Sequence, residues 1–148
     1  AVVADIGSGA GLPGVGWATV RPDLSVVLIE PLSRRTTFLQ ETVDRLGLAD
    51  RVTVPRGRAQ AVAPIEADVV TSRAVAAMSE LLAVSQRHCG PRGRILAIKG
   101  SRAEAELAAC RDTIVADHGR ARVVTVGPVG SDGHPLATVV QIDYKEAV

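Results

Sequence analysis

The sequence opens with AVVADIGSGAGLPG, residues 1–14, in which a short apolar run leads directly into a cluster of glycines. The run over residues 1–6 is rich in valine, alanine and isoleucine and predicts a buried strand. Glycines this closely spaced after a strand let the backbone approach a ligand at the N-terminus of a following helix. The stretch therefore predicts an α/β fold whose first loop holds a ligand.

The rest of the chain alternates between short β-branched runs and longer segments of helical periodicity. This alternation is typical of a parallel sheet with helices on both faces. Strands are predicted at residues 1–6, 25–30, 51–55, 67–72 and 94–99, and helices at residues 32–46, 75–88 and 102–117. Ser101 and Glu104 have the spacing of a capping box at the start of the last of these helices.

The C-terminal part of the chain has a different pattern. Residues 122–126 and 136–144 are strand-like, and the segment between them is too rich in glycine and proline to form a helix. Strands joined without a crossover helix pair antiparallel. The expected fold class is therefore α/β, a doubly wound and mostly parallel seven-stranded sheet that ends in an antiparallel hairpin.

Length and composition limit the kind of protein this is. A chain of 148 residues with a net charge of +1 is expected to form one domain, residues 1–148, and its charge alone does not predict nucleic-acid binding. Its two cysteines, Cys89 and Cys110, have neither a CxxC spacing nor partners at metal-ligand spacing. This argues against a disulfide scaffold and a metal site, and it indicates a reducing compartment.

The ends and apolar runs of the chain carry no targeting pattern. No apolar run reaches the 18 residues or so that a membrane span needs, so we expect a cytoplasmic protein without membrane contact. The chain starts at Ala1 rather than at a methionine, already inside a predicted strand. We therefore expect an N-terminally truncated or cleaved domain, from which an upstream segment has been removed or left out.

The glycine loop fits two motifs, GxGxG from Gly7 and GxGxxG from Gly9. The second is weak evidence for a dinucleotide, and an NAD(P)-binding Rossmann domain remains the alternative. Asp5 before the loop, Pro13 at its exit and the antiparallel tail favour a nucleoside-type ligand instead. A P-loop is excluded because the sequence contains no GK[ST]. Glu30, at the end of the second predicted strand, is placed to accept hydrogen bonds from both hydroxyls of a ribose.

Further motifs follow the glycine loop in a fixed succession. They are Glu30 with Arg34-Arg35 and Phe38-Leu39, then Arg58-Ala59-Gln60, Ser72-Arg73-Ala74 and Leu96-Ala97-Ile98-Lys99-Gly100. In this order they resemble the small-subunit (16S) ribosomal RNA guanine-N7 methyltransferase family, also called glucose-inhibited division protein B. The resemblance covers nearly the whole chain. It departs from the family at the N-terminus, where a helical segment is absent, and at Gln60, where the family often has Glu.

The resemblance implies a class I S-adenosylmethionine-dependent methyltransferase whose partner is the ribosomal RNA of the small subunit. Gly7 and Leu12 would line the cofactor, Ala59 and Gln60 would flank its adenine, and Arg73 would lie near its methionine end. Together with the residues expected from the loop and from the second strand, the predicted cofactor-binding set is Gly7, Gly9, Gly11, Leu12, Glu30, Ala59, Gln60 and Arg73.

The residue types also limit the methylation chemistry. The chain has Thr71-Ser72-Arg73-Ala74 where amine methyltransferases commonly carry [DN]PP[YFW], which disfavours amine methylation. Methylation of a pyrimidine carbon requires a cysteine nucleophile, and neither cysteine is expected at the functional edge of the sheet. Guanine N7 is an in-plane lone pair without a proton, so its methylation needs alignment and no general base. We therefore expect no catalytic acid or base, with Arg73 positioning a carboxylate or guanine O6; its alternative is a salt bridge with Asp5 or Asp68.

Four basic residues are candidates for contacts with RNA phosphates, namely Arg34, Arg35, Lys99 and Arg102. His88 and His118 end predicted helices, where a cation is favoured by the helix dipole, and no histidine has a partner pattern that suggests a metal ligand or a base. Two further alternatives stay open beside the NAD(P)-binding domain: a methyltransferase acting on another substrate, and a fragment that binds cofactor without catalysis.

Overall fold

The computed structural model describes residues 1–73 and 76–145. The strands are β1 (Val2–Ile6), β2 (Ser25–Ile29), β3 (Val52–Thr53), β4 (Ala67–Arg73), β5 (Cys89–Lys99), β6 (Gly119–Val126) and β7 (Ala137–Tyr144). The helices are α1 (Gly14–Val20), α2 (Ser33–Arg45), α3 (Met78–His88) and α4 (Ala103–Ala116). In the described part of the chain the strands form one seven-stranded sheet in the order β3-β2-β1-β4-β5-β7-β6.

The first five strands run parallel, and β7 pairs antiparallel with both β5 and β6. The expected fold class is thereby confirmed, including the C-terminal antiparallel hairpin. The strand order reverses at β1, where Ile6 pairs with Ile29 on one side and with Ser72 on the other. Ligands of open α/β sheets bind outside the carboxyl ends of the strands at such a reversal.

Each face of the sheet is covered by a separate apolar cluster. On one face Leu28 packs with Leu39 and Val43 of α2. On the other face Ile95 packs with Leu81 of α3 and Leu107 of α4. Sheets buried on both faces have nearly continuous apolar strands, and this explains the β-branched runs of the sequence.

Several boundaries differ from the sequence-based expectations. β5 begins at Cys89 rather than at residue 94, because α3 passes directly into it, and its pairing with β4 is irregular between Ala67 and Val69. β3 has only two residues, and Pro55, which cannot donate to a ladder, follows shortly after it. The predicted capping box is wrong: Arg102 is the N-cap of α4, without a side-chain cap bond. The predicted start of the third helix at residue 75 lies outside the described residues.

Two further properties concern the part of the chain that the structure describes. No helix there combines the length and the apolar character that crossing a membrane requires. Within residues 1–73 and 76–145, no three His, Cys, Asp or Glu side chains come together as metal ligands would.

Candidate functional site

The glycine loop lies over the carboxyl end of β1 in a conformation that requires glycine. Gly7, Gly9 and Gly11 have φ angles of 67°, 56° and 96°, in a region that other residues rarely adopt. The amides of Gly7 and Ser8 both donate to the carbonyl of Ile29, at 2.9 and 3.1 Å. The loop is thus joined to the end of β2 as well as to β1.

Gly14 serves packing rather than ligand contact. A Cβ at this position would lie 2.5 Å from Leu28 Cδ2 and 2.6 Å from Asp5 Oδ2. Its amide donates to Asp5 Oδ2 at 3.0 Å. The absence of a side chain at Gly14 therefore lets the start of α1 lie directly on β1 and β2.

Asp5 is buried beneath this loop, with 1% of its surface exposed. Burial raises its pKa to about 6, against the lowering effects of the Gly14 amide and of the Arg73 charge. Through its bond with the Gly14 amide, the Asp5 side chain holds the first turn of α1 from beneath the loop.

Glu30 also holds the loop. Only 2% of the residue is exposed; its Oε2 accepts the Gly9 amide at 2.9 Å and its Oε1 accepts the Leu32 amide at 3.2 Å. The carboxylate thereby joins the glycine loop to the segment after β2. A carboxylate oxygen has a second lone pair, so a ribose hydroxyl at this site would share Glu30 with these amides.

A cavity of about 180 Å³ lies beside the loop, at the carboxyl edge of the sheet. Its apolar side is formed by Ile6, Ile29, Leu81 and Val84, next to Gly7, Pro31 and the buried Ala59, while Arg58, Gln60 and Glu80 add polar groups. An apolar slot with a few polar groups at its rim suits a flat heteroaromatic ring. The structure thus brings Gly7, Ala59 and Gln60 together, although they are separated by up to 53 positions in sequence.

The other predicted loop residues are placed differently. A Cβ on Gly11 would lie 2.6 Å from Val15 Cγ2, so this glycine makes room for α1. The side chain of Leu12 is 54% exposed at the tip of the loop. Neither residue lines the 180 Å³ cavity.

Arg73 is exposed at the last position of β4, paired in register with Ile98. Among the described residues it forms no ion pair with Asp5 or Asp68, and Asp68 instead accepts the Val2 amide at 2.7 Å. The salt bridge that sequence reasoning left as an alternative is therefore not formed. Ala74, which completes the predicted motif, lies outside the described residues.

The sequence of the chain matches a known protein family. The sequence profile of the GidB family, described as rRNA small subunit methyltransferase G, matches residues 1–130. The chain belongs to this family. Proteins named "Ribosomal RNA small subunit methyltransferase G" are similar to it in sequence. That of Thermobifida fusca (strain YX) is 48% identical over 148 residues, and that of Salinispora arenicola (strain CNS-205) is 44% identical over 155 residues.

These methyltransferase G relatives are longer than the chain. The match covers 99% of the chain and 61% of the T. fusca protein, and 100% of the chain and 64% of the S. arenicola protein. The chain thus spans less than two thirds of the length of these relatives.

Solved structures share the fold. A predicted O-methyltransferase from Agrobacterium tumefaciens superposes with a TM-score of 0.75 at 19% identity, over 96% of this chain and 73% of its own. The M. jannaschii protein TYW2, solved in complex with AdoMet, gives the same TM-score and identity, over 99% of this chain and 69% of its own. At such identities the likeness concerns the fold alone.

The basic residues expected to contact RNA fall into two groups. Arg34 and Arg35 are exposed in the first turn of α2, and Arg102 is exposed before α4. Lys99 is only 8% exposed, and its ammonium donates to the Ala76 carbonyl and lies 3.4 Å from a carboxylate oxygen of Glu106. The ammonium of Lys99 is therefore buried and bound to acceptors of the protein itself, so in this structure it does not reach a phosphate at the surface.

Sequence reasoning assigned no role at the cavity to two residues that line it or contact its lining. Arg58 lines the cavity, although no role was predicted for it from the sequence. His88 ends α3 as predicted, but the prediction did not include its burial: the side chain is fully buried, with Nε2 at 2.7 Å from the Ala59 carbonyl. The available signal was the spacing of His88 seven residues after Leu81, on the apolar side of α3.

Proposed function

We propose that the protein binds S-adenosylmethionine at the carboxyl edge of the sheet and transfers its methyl group to N7 of a guanine in small-subunit ribosomal RNA. The observation that carries this proposal is the cavity between the glycine loop and Ala59-Gln60, located where the strand order reverses. Membership of the methyltransferase G family supports the reaction and the RNA class. We also place this activity in the cytoplasm.

The residues present fit the cofactor. Gly7, Ala59 and Gln60 would enclose the adenine against the apolar wall, and Glu30 would accept the ribose hydroxyls while keeping its bonds to the loop. Gly9 and Gly11 would give the loop its shape, with Leu12 covering the cofactor from the loop tip. Arg73, unpaired among the described side chains, has a guanidinium free to contact the methionine end or guanine O6.

When bound, S-adenosylmethionine supplies an electrophilic methyl group on its sulfonium. The protein's part is to align guanine N7 with that methyl and to keep water away, since N7 carries no proton that a base would have to remove. The site accordingly needs rigid walls more than a titrating group. Ile6 and Ile29 supply an apolar wall, and Arg73 supplies a planar pair of donors.

The RNA would approach the same edge of the sheet. Arg34 and Arg35 on α2, Arg102 before α4 and Arg58 at the cavity are exposed and carry permanent positive charge. Contacts of such residues with phosphates position an RNA without reading its sequence. The target nucleotide is then selected by the fit of one base beside Arg73.

The test is methyl transfer from labelled S-adenosylmethionine, catalysed by the full chain, to small ribosomal subunits and to naked ribosomal RNA. Label released as 7-methylguanine after hydrolysis is the expected result. Label on another base, or none on either substrate, would contradict the proposal. Calorimetry with S-adenosylmethionine and with NAD is the matched binding test. Binding of NAD but not of S-adenosylmethionine would indicate an NAD(P)-binding domain instead.

A further inference from the structure

His88 lies at the last position of α3, and its ring contacts the loop that lines the cavity. The residue is 0% exposed, and its Nε2 is 2.7 Å from the carbonyl oxygen of Ala59. A carbonyl oxygen can only accept, so Nε2 carries the hydrogen and donates it. The bond joins residues 29 positions apart and is therefore a tertiary contact between α3 and the loop before β4.

The contacted segment is a single turn held at two places. Within the turn, the amides of Ala61 and Val62 donate to the Arg58 carbonyl at 2.9 and 3.1 Å. From α3, His88 donates to the Ala59 carbonyl, and Arg87 Nη2 donates to the Val62 carbonyl at 3.2 Å. The Arg87 bond is exposed, whereas the His88 bond is buried, where a hydrogen bond is stronger and its loss leaves an unsatisfied carbonyl.

This turn forms one wall of the cavity. Ala59 is 6% exposed and lines the cavity together with Gln60, Ile6 and Leu81. The position of the wall depends on where the Ala59 carbonyl is held. We propose that His88 is a positioning residue that fixes the Ala59-Gln60 wall and so sets the affinity for the adenosyl part of the cofactor. The inference rests on the proposed function, which assigns this wall to the adenine.

The rest of the His88 ring makes no competing polar contact. Its Nδ1 is buried without a hydrogen-bond partner among the described residues, and the same holds for the Ser85 hydroxyl one turn earlier on α3. The bond to Ala59 is thus the polar contact through which the ring acts on the site. Ser85 provides a matched control, because it is buried on the same helix and bonds nothing at the cavity wall.

The test compares four variants of the full chain by calorimetry with S-adenosylhomocysteine and with adenosine. His88→Gln places an amide nitrogen where Nε2 lies, His88→Asn reaches only as far as Nδ1, and His88→Leu keeps the bulk without a donor. We expect His88→Leu and His88→Asn to weaken both ligands about tenfold and by the same factor, as loss of one buried hydrogen bond would. His88→Gln should stay within about threefold of the natural protein, and Ser85→Ala within about twofold.

Binding is measured well below the melting temperature of each variant, so that unfolding does not enter the affinity. Natural affinity in His88→Asn or His88→Leu would overturn the inference, and so would an equal loss in His88→Gln, which would point to packing instead of the donor. If His88→Leu does not fold, the comparison of ligand affinity between His88→Asn and His88→Gln tests the inference. If the natural protein binds neither ligand, the proposed function itself is contradicted. If the natural protein binds and the variants bind equally well, only the role of His88 is contradicted.

Discussion

Asp5→Asn should change how the stability of the protein depends on pH. Burial raises the pKa of Asp5 from 3.8 to about 6, so the folded state favours the protonated carboxyl. A difference of 2.2 pH units at 1.36 kcal/mol each corresponds to about 3 kcal/mol. Because the folded-state pKa is the higher one, this stability is fully present below pH 3.8 and is lost as the pH rises through 6.

Asparagine keeps an oxygen that accepts the Gly14 amide but has no proton to lose in this range. The free energy of unfolding of the natural protein, relative to that of Asp5→Asn, should therefore fall by about 2–3 kcal/mol between pH 4 and pH 7.5. Comparing the two proteins at both pH values cancels any constant cost of burying the extra amide hydrogens. Urea unfolding followed by the fluorescence of Trp17, on the helix that Asp5 holds, measures the difference.

Asp23→Asn is the matched control. Asp23 is exposed and paired with Arg21, whose hydrogen bond lowers its pKa to about 2. Stability from this group is present above pH 3.8 and is lost only as the pH falls toward 2, so its contribution hardly changes above pH 4. A difference between natural protein and Asp5→Asn that stays constant from pH 4 to pH 7.5 would refute the assignment of a buried, ionising Asp5.

Three further substitutions test the site. Gly9→Val puts a β-branched residue at a positive φ within the loop and should cost about 1–2 kcal/mol of stability. It should also weaken S-adenosylmethionine binding at least tenfold in calorimetry, and unchanged affinity would exclude the loop as the site. Glu30→Ala should weaken binding tenfold or more, since hydrogen bonds to a charged group contribute about 1.5–3 kcal/mol, and a change under about twofold would contradict the ribose assignment. Arg73→Lys should lower single-turnover methylation because an ammonium lacks the planar pair of donors. The natural rate should be flat through neutral pH, so a slope of one together with a fully active Arg73→Lys would contradict the alignment mechanism.

Periodicity was sufficient to predict the mostly parallel seven-stranded sheet and its antiparallel hairpin. The glycine spacing predicted the loop after β1, beside which the structure has a cavity. Most residues of β1 and β2 are buried, and their short apolar runs can be read directly from the sequence. The start of β5 at Cys89 was missed because Gly90 and Pro91 resemble a turn in sequence, whereas in the structure this segment continues from α3 into the sheet. Local sequence carries no sign of such a continuation, which is set by the neighbouring strand.

Side-chain partners were less predictable than backbone elements. Lys99 was predicted to contact RNA phosphates, yet its ammonium contacts the Ala76 carbonyl and Glu106, which both lie outside β5. His88 likewise meets Ala59 from 29 positions away. In both cases the partner is brought near only by the crossing of helices over the sheet, and a one-dimensional pattern does not contain that crossing.

The acidic residues around the glycine loop show why ligand affinity and loop shape are linked in this fold. Asp5 holds the loop's exit through the Gly14 amide, and Glu30 holds its middle through the Gly9 amide. The residue expected to bind the ribose is thus already a structural part of the loop. Truncating Glu30 removes a ligand acceptor and frees the Gly9 amide at the same time, so its effect on affinity exceeds that of one lost contact. Glu30→Gln, which keeps an acceptor for one amide but loses the charge, separates the two contributions: a melting temperature near the natural value with weakened ribose binding assigns the loss to the ligand.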